Sequence, residues 1–403
     1  MRQSSAAFHP ATTGRSGIAL IIVLVIIVAL GILAGGFAYT MKVETKLARN
    51  ASFDVEFEWA ARAGIEHAKY VLGEDMKGPT AAWDTLNEKW AGGTGSTNDP
   101  LGELPMTDIE VGPAIIDVKI EDNDRKFNIN AADSEVLQHA LTLVGIDPAT
   151  MATISDSILD WRDPDDDPHM AGTESETYEN YPLPYFAKNG PIDDLTELLL
   201  VRGVTPEMYW GSGASGHVAV LNRSPTQRGN FEEPTYVIGL KDLFCALSSK
   251  LMNANTANET TLQVFPPFDL RVAQAIISGP QGRAGPDGVD GTDDDNPFRS
   301  AADLMRVPEV QQALSAGPAP NPAVQGQPPQ GGQAQPPPGA PGQPPPPGAM
   351  QGGAQALSRF FGVRSLVFEV TVDITIAGNK RTYKAMLRRN SARDIQVLNM
   401  NWQ

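Results

Sequence analysis

The sequence predicts an α+β protein: a long N-terminal helix packed on an antiparallel sheet, with a large, mainly α-helical domain inserted between the strands. Three observations carry that expectation. An uncharged run from Ile18 to Tyr39 continues without proline into an amphipathic stretch. Alternating apolar segments stand at residues 107–122 and 366–387, so strands of one sheet would be separated by most of the chain. Between them lies a passage of polar caps and short helical segments that contains an internal repeat.

The helix comes first. The uncharged run holds 22 residues, enough at roughly 1.5 Å per residue to cross a hydrocarbon core of about 30 Å. A cleaved secretory signal would have an apolar region of only about 7–15 residues and a small-residue cut site, so residues 18–39 read as one membrane span. Beyond it, Leu47, Ala51, Ala61, Ile65, Ala68 and Leu72 recur at helical spacing beside Glu44, Lys46, Glu58 and Lys69, which makes the second half amphipathic. Arg2 and Arg15 favour a cytoplasmic N-terminal flank, against an opposing pull from Lys42, Lys46 and Arg49. The bulk of the chain is then expected outside the cytoplasmic membrane.

The strands follow. Ile116, Val118 and Ile120 alternate with Asp117, Lys119 and Glu121 in a strand spanning Thr107 to Asp122. Near the other end, Leu366, Phe368, Val370, Val372, Ile374 and Ile376 alternate with mostly polar neighbours. Gly378-Asn379 offers a turn, Tyr383, Ala385 and Leu387 resume the pattern, and a short strand is expected at Ile395 to Leu398. These segments frame residues 40–127 as the amphipathic helix and first strands, 128–316 as an inserted α-domain, 317–355 as a linker and 356–403 as the strands that complete the sheet.

Inside the insertion, the run from Asn128-Ile129-Asn130-Ala131-Ala132-Asp133 to Leu137 matches Asn253-Ala254-Asn255-Thr256-Ala257-Asn258 to Leu262. Residues Asp194-Leu195 to Val201 echo Asp303-Leu304 to Val307. Leu143-Val144-Gly145-Ile146 and Leu200-Val201-Arg202-Gly203-Val204 are similar to helix-hairpin-helix turns, so each copy is expected to be a helix-hairpin-helix-like unit. Charge argues against nucleic acid: the chain carries 31 Lys and Arg against 48 Asp and Glu, a net −17. Residues 128–216 set 16 acids against Arg162, Lys188 and Arg202, a surface that repels phosphate. A divalent cation or a basic protein fits that balance better.

The strongest local signal is Asp160-Trp161-Arg162-Asp163-Pro164-Asp165-Asp166-Asp167-Pro168, continuing through Gly172-Thr173-Glu174-Ser175-Glu176-Thr177-Tyr178. Counted from Asp163, the acids Asp165, Asp167 and Glu174 fall at the third, fifth and twelfth positions, the acidic spacing of an EF-hand calcium loop. Pro168 occupies the sixth position, where that turn needs glycine, so the reading is a calcium loop without the EF-hand. On composition alone a solvated acidic loop accounts for it equally well. Trp161 and Tyr178 read as core aromatics beneath it. A second acidic patch, Asp287, Asp290, Asp293, Asp294 and Asp295, follows glycines spaced by threes and reads as a flexible loop. Residues 317–353 hold 13 of the 33 prolines and cannot be packed core.

No enzyme is expected. His9, His67, His139, His169 and His217 sit in unrelated contexts, and no nucleophile-elbow, phosphate-loop or metalloprotease spacing occurs. One cysteine, Cys245, excludes an internal disulfide and reads as a packed thiol.

Arg15-Ser16-Gly17 directly before Ile18-Ala19-Leu20-Ile21-Ile22-Val23 resembles a class III, type IV pilin-like leader, which prepilin peptidase cuts after the glycine. That likeness implies a leader of residues 1–17, cleavage between Gly17 and Ile18, and a methylated mature Ile18. Most such proteins carry Glu as the fifth mature residue, whereas this chain has Ile22. The same absence marks the minor pseudopilin K (general secretion pathway protein K) family of type II secretion systems, which the chain also resembles in its long helix, first strand, first repeat and C-terminal strands. In that family the inserted domain carries a similar Asp-Trp-x-Asp-x-Asp, Gly-x-Glu and Pro-Pro-Tyr-like run that binds calcium. Asp160, Asp163, Asp165 and Glu174 match it; Ser175 and Leu183 depart from it, and Asp167 and Glu176 are further candidate ligands. The resemblance implies a pilin-like fold and a single-pass inner-membrane protein of a diderm bacterium with a periplasmic C-terminal domain. It also implies a place at the pseudopilus tip, where the subunit initiates assembly and export with the smaller I and J minor pseudopilins. Prepilin peptidase and the major pseudopilin would be further partners. A membrane-anchored calcium-binding scaffold and a competence-type DNA-binding protein stay open as alternatives.

Overall fold

The computed structural model describes residues 16–78, 80–93, 101–102, 104–211, 236–316 and 347–402. Residues 1–15 of the expected leader and 317–346 of the expected linker lie outside the described residues. The chain divides into two compact units, Met1–Ala60 and Ala61–Gln403. Helix α1 (Ser16–Asp75) begins in the first and ends in the second. Its apolar side chains from Ile18 to Val43 are exposed. Among the described residues it is the helix long and apolar enough to cross a membrane, with a mean hydropathy of 3.3 over its most apolar window.

In the second unit, the last turns of α1 bury Ala61, Ile65, Ala68 and Leu72, the spacing that sequence periodicity marks as one face. That face lies on an antiparallel sheet of five strands: β1 (Ile109–Val111), β2 (Ala114–Asp122), β7 (Val367–Ile376), β8 (Asn379–Ser391) and β9 (Asp394–Trp402), in that spatial order. Gly64 makes the contact possible. A Cβ there would stand 2.6 Å from Val372 Cγ1 and 3.3 Å from Ile116 Cδ1, closer than carbon atoms pack.

The register pairs Ile116 with Ile374, Val118 with Val372 and Ile120 with Val370, so the inward faces of β2 and β7 coincide. The stretch expected as one strand from Thr107 is a hairpin, because Gly112 has φ +58 and turns the chain between β1 and β2. The turn after β7 is centred on Ala377-Gly378, at φ +48 and +84, one residue earlier than expected. Positive φ at both central residues matches the twist of paired strands. The last strand extends past the expected 395–398 to Trp402.

Between β2 and β7 the insertion forms two hydrophobic cores. The first gathers Ile129, Val136, Ile154, Trp161, Tyr178 and Leu198 around α2 (Ser134–Val144) and α3 (Pro148–Arg162). The second gathers Leu262, Phe265, Val272, Phe298, Leu304 and Phe361 around α5 (Leu270–Ser278), α6 (Pro308–Ala316) and α7 (Pro347–Phe360); the short α4 (Ser175–Glu179) belongs to the first half. Helix α7 begins within the stretch expected as linker, 317–355. Proline is tolerated at a helix start, and the chain after Pro347 has no other, so a helix forms and returns Leu357 to the second core.

The two repeat copies make matching contacts. Two-residue parallel strands open each: β3 (Phe127–Asn128) against β4 (Phe244–Cys245), and β5 (Met252–Asn253) against β6 (Phe361–Gly362). Asn128 Oδ1 accepts from Asn130 N at 2.8 Å, and Asn253 Oδ1 from Asn255 N at 2.9 Å. Asp133 and Asn258 then cap the following helices through the N–H of Val136 and Thr261. Farther on, the expected match of Asp194 with Asp303 shifts by three residues. Glu197 accepts from the N–H of Asp194, and Asp303 from that of Ser300, so Asp303 corresponds to Glu197 and Ser300 to Asp194.

A buried polar hub ties the sheet to the second core. Arg389, 1% exposed, pairs with Asp75 at 3.0 Å and with Asp84. Asp122, the inward residue at the end of β2, accepts from Ser365 Oγ at 2.6 Å and from Thr256 Oγ1, while Asp84 Oδ2 accepts from Ser365 N at 2.7 Å. Burial, reinforced by the charge of Asp124, lifts the Asp122 carboxyl to about 7. Burial with Asp75 and Asp84 nearby lifts Glu88 to about 9.

Candidate metal centre

Helix α3 starts on an Asp147 cap with Pro148 in its first turn and ends on Arg162, whose guanidinium donates to the carbonyls of Ile129 and Ala132. Two residues before that end, Asp160 is fully buried. It organises the acidic loop. Its Oδ1 accepts from His169 N at 3.0 Å and meets His169 Nδ1 at 2.5 Å; its Oδ2 accepts from Thr173 N. Gly172 permits this closure, since a Cβ there would stand 1.8 Å from Asp160 Oδ2. Asp156 adds a bond from Ala171 N at 3.1 Å.

Asp163 and Glu174 have no comparable partners. Asp163 Oδ1 and both Glu174 oxygens are buried without a hydrogen-bond partner among the described residues. Burial, followed by the charges of Asp160 and Asp163, raises the Glu174 carboxyl to about 7; burial and the charge of Asp165 raise Asp163 as well. An unpartnered buried carboxylate is costly unless a proton or a cation neutralises it. Ligand atoms of Asp160, Asp163 and His169 lie within 4.8 Å of one another. Asp165 and Asp167 stay on the exposed part of the loop, where Asp165 Oδ1 accepts from Asp167 N at 3.1 Å. Glu176 is exposed on α4 and, with Glu174, lines a cavity of about 440 Å³. Among the described residues, the ligand atoms close enough to share a cation are those of Asp160, Asp163 and His169, with the unpartnered Glu174 carboxylate nearby and Asp165, Asp167 and Glu176 on the exposed part of the loop and α4.

His169 was not singled out by sequence as a site residue. The signal available was its place inside the acidic loop, six residues after Asp163. Its hydrogen bond to Asp160 holds the imidazole above its ordinary pKa. The aromatic expectation holds. Trp161 and Tyr178 are buried and meet edge to face at 5.5 Å, and Tyr178 stacks on Tyr185 at 5.1 Å. Arg202 ties this layer to the loop, donating from its guanidinium to Thr173 Oγ1 at 2.9 Å and from its backbone to Tyr178 Oη at 3.2 Å.

In the second acidic stretch, Asp290 grips the buried Arg283, whose Nη1 donates to Ala254 O at 2.6 Å. Ala254 is the repeat counterpart of Ile129, so Arg162 and Arg283 anchor to matching carbonyls in the two halves. The stretch expected as a free loop is clasped to the second core at its base.

A long N-terminal helix leading into an antiparallel sheet, interrupted by a two-core helical insertion, defines a pilin-like subunit. The family model of type II secretion system (T2SS), protein K matches residues 118–215. The type II secretion system protein K of Klebsiella pneumoniae is 24% identical over 48% of this chain and 60% of its own length. That of Pseudomonas aeruginosa is 26% identical over 47% of this chain and 58% of its own. The chain thus spans about three fifths of these relatives. A chain in the crystal structure of the GspK–GspI–GspJ complex from the enterotoxigenic Escherichia coli type 2 secretion system shares the fold. It matches with a TM-score of 0.56 and 16% identity, covering 88% of this chain and 99% of that one. Over these residues the chain is similar to the type II secretion system protein K family.

Proposed function

We propose that this chain is a minor pseudopilin at the tip of a type II secretion pseudopilus. It would be held in the inner membrane by residues 18–39, with its second unit in the periplasm. The observation that carries this reading is the insertion between β2 and β7. A subunit whose pilin-type sheet bears two additional hydrophobic cores presents a bulk that a repeating fibre subunit could not stack beneath another copy. The related structure contains K, I and J components together, and smaller I-type and J-type pseudopilins are the partners this reading takes. The Ile22 that replaces the usual Glu fits a tip subunit, which has no preceding subunit whose amine it must neutralise.

Prepilin peptidase would cut between Gly17 and Ile18. Calcium would occupy the acidic loop through Asp160, Asp163 and Glu174, with Asp165, Asp167 and Glu176 adding oxygens at the rim. Calcium suits a flexible set of carboxylate oxygens better than magnesium, which demands a tight octahedron. The matching contacts of Asn128 and Asn253 support a duplicated helix-hairpin-helix-like unit serving as scaffold, since the local charge opposes a nucleic-acid role. The subunit has no catalytic task in this reading.

Deleting the gene should leave exoproteins in the periplasm, and the full chain supplied in trans should restore their export. Normal export in the deletion strain would overturn the proposal.

A further inference from the structure

Beside the acidic loop, whose first residue Asp163 reaches its wall, a cleft of about 490 Å³ opens in the second unit between the first repeat, residues 246–250 and one face of the sheet. Its charge runs against the chain. Arg162, Lys250 and Arg388 line it, against the single carboxylate of Asp163, in a protein of net charge −17. Lys250 and Arg388 are exposed, and among the described residues neither side chain has an ion-pair or hydrogen-bond partner.

The floor is preformed. Asn128 Nδ2 donates to Ser248 Oγ at 2.9 Å, Asn130 Nδ2 to Ala246 O at 3.3 Å, and Asn123 Nδ2 to Leu247 O. Asp124 Oδ1 accepts from Ser249 N at 2.5 Å. Lys250 is held at φ +74, a left-handed conformation that is unfavourable for a non-glycine residue and persists where surroundings over-determine it. Pro191, Leu366 and Leu398 supply apolar wall, and Val397 and Leu398 on the adjoining edge strand β9 are 44% and 42% exposed.

We propose that this cleft binds an acidic segment of a partner polypeptide. A carboxylate side chain would lie between Lys250 and Arg388, and neighbouring apolar residues of the segment would cover Leu398 and Val397. Charge-assisted hydrogen bonds to two unpartnered cations supply the attraction. A peptide is chosen over a free anion because a small anion would leave the apolar walls uncovered. The cleft contains no residue of α1, and its occupancy is independent of a tip position.

The test uses the full chain in detergent micelles and a fluorescein-labelled peptide alternating Glu and Val, with a Gln-for-Glu peptide and glutarate as comparisons. The Glu peptide should bind saturably. Its affinity should fall about tenfold or more in the Lys250→Gln, Arg388→Gln double variant, as expected for loss of two charge-assisted contacts. An Arg393→Gln control, changed at an exposed residue outside the cleft, should bind as the parent does. Both altered side chains are solvent-facing, so an unchanged melting temperature will certify the fold. Equal binding by the double variant, equal binding of the Gln peptide, or no saturation up to millimolar peptide would each overturn the proposal. Displacement of the peptide by glutarate at matching affinity would overturn the peptide assignment in favour of a small dicarboxylate.

Discussion

Asn130 and Asn255, equivalent residues of the two repeat copies, hold the same clamp. Asn130 bonds both backbone groups of Ile192 at 2.8 Å, and Asn255 bonds both of Phe298 at 2.9 Å. Each fastens the start of its copy to the segment that leads into the second capped turn. Truncating either to Ala leaves a buried N–H and C=O without partners, at a cost of about 1–3 kcal/mol per group. The clamps share no partner, so the two losses should add in denaturant melts, within the few tenths of a kcal/mol that independent sites show.

Gly172 is the tightest backbone approach in the acidic loop. Gly172→Ala would drive a methyl group into the Asp160 carboxylate, and overpacking of this kind costs about 1–3 kcal/mol. Thermal unfolding should show the loss, and calcium should recover less of it than in the parent, because the same carboxylate orders the loop.

The Glu174 carboxyl, raised from 4.5 to about 7 by burial and by Asp160 and Asp163, gives a signed pH prediction. The cation-free folded state binds this proton more tightly than the unfolded chain does. Stability should therefore fall as pH rises from about 4.5 through 7, where the folded state must accept the buried charge. Calcium should flatten that fall, and Glu174→Gln should remove its share. Asp122, also raised to about 7, contributes a slope of the same sign that neither change abolishes. Melting temperatures across that window, with calcium and with EGTA, would measure each part. The Asp163→Ala, Glu174→Ala double variant should lose the difference between calcium and EGTA.

Arg389 stands between Asp75 at the end of α1 and Asp84. Arg389→Met would leave two buried carboxylates facing a neutral side chain, and breaking a buried pair in this way costs about 3–5 kcal/mol. A shift of the urea midpoint at unchanged slope would confirm a local stability loss.

The sheet was legible because alternation reports a half-buried strand directly: Ile116, Val118 and Ile120 all face inward where their spacing put them. The face of α1 was legible for the same reason. The hub was not, because Asp75, Asp84 and Asp122 look like ordinary surface acids until the chain brings Arg389, more than 300 residues beyond Asp84, beside them. His169 escaped because its place inside the acidic loop was the one signal it carried, and the bond to Asp160 depends on how the loop folds back over that carboxylate. The helix at Pro347 was hidden because the Gly, Gln and Ala residues after the last proline continue the composition of the tract, while the helix begins at that proline. The acidic loop was found by spacing, but which oxygens stay unpartnered depended on the Gly172 closure, which spacing does not encode.

The measurement that tests the central claim most directly is native mass spectrometry of the full chain co-expressed with prepilin peptidase and its I-type and J-type pseudopilins. The account predicts a complex holding one copy of each, in which this subunit has the mass of a methylated chain beginning at Ile18. A chain that retains residues 1–17 and runs alone would contradict it.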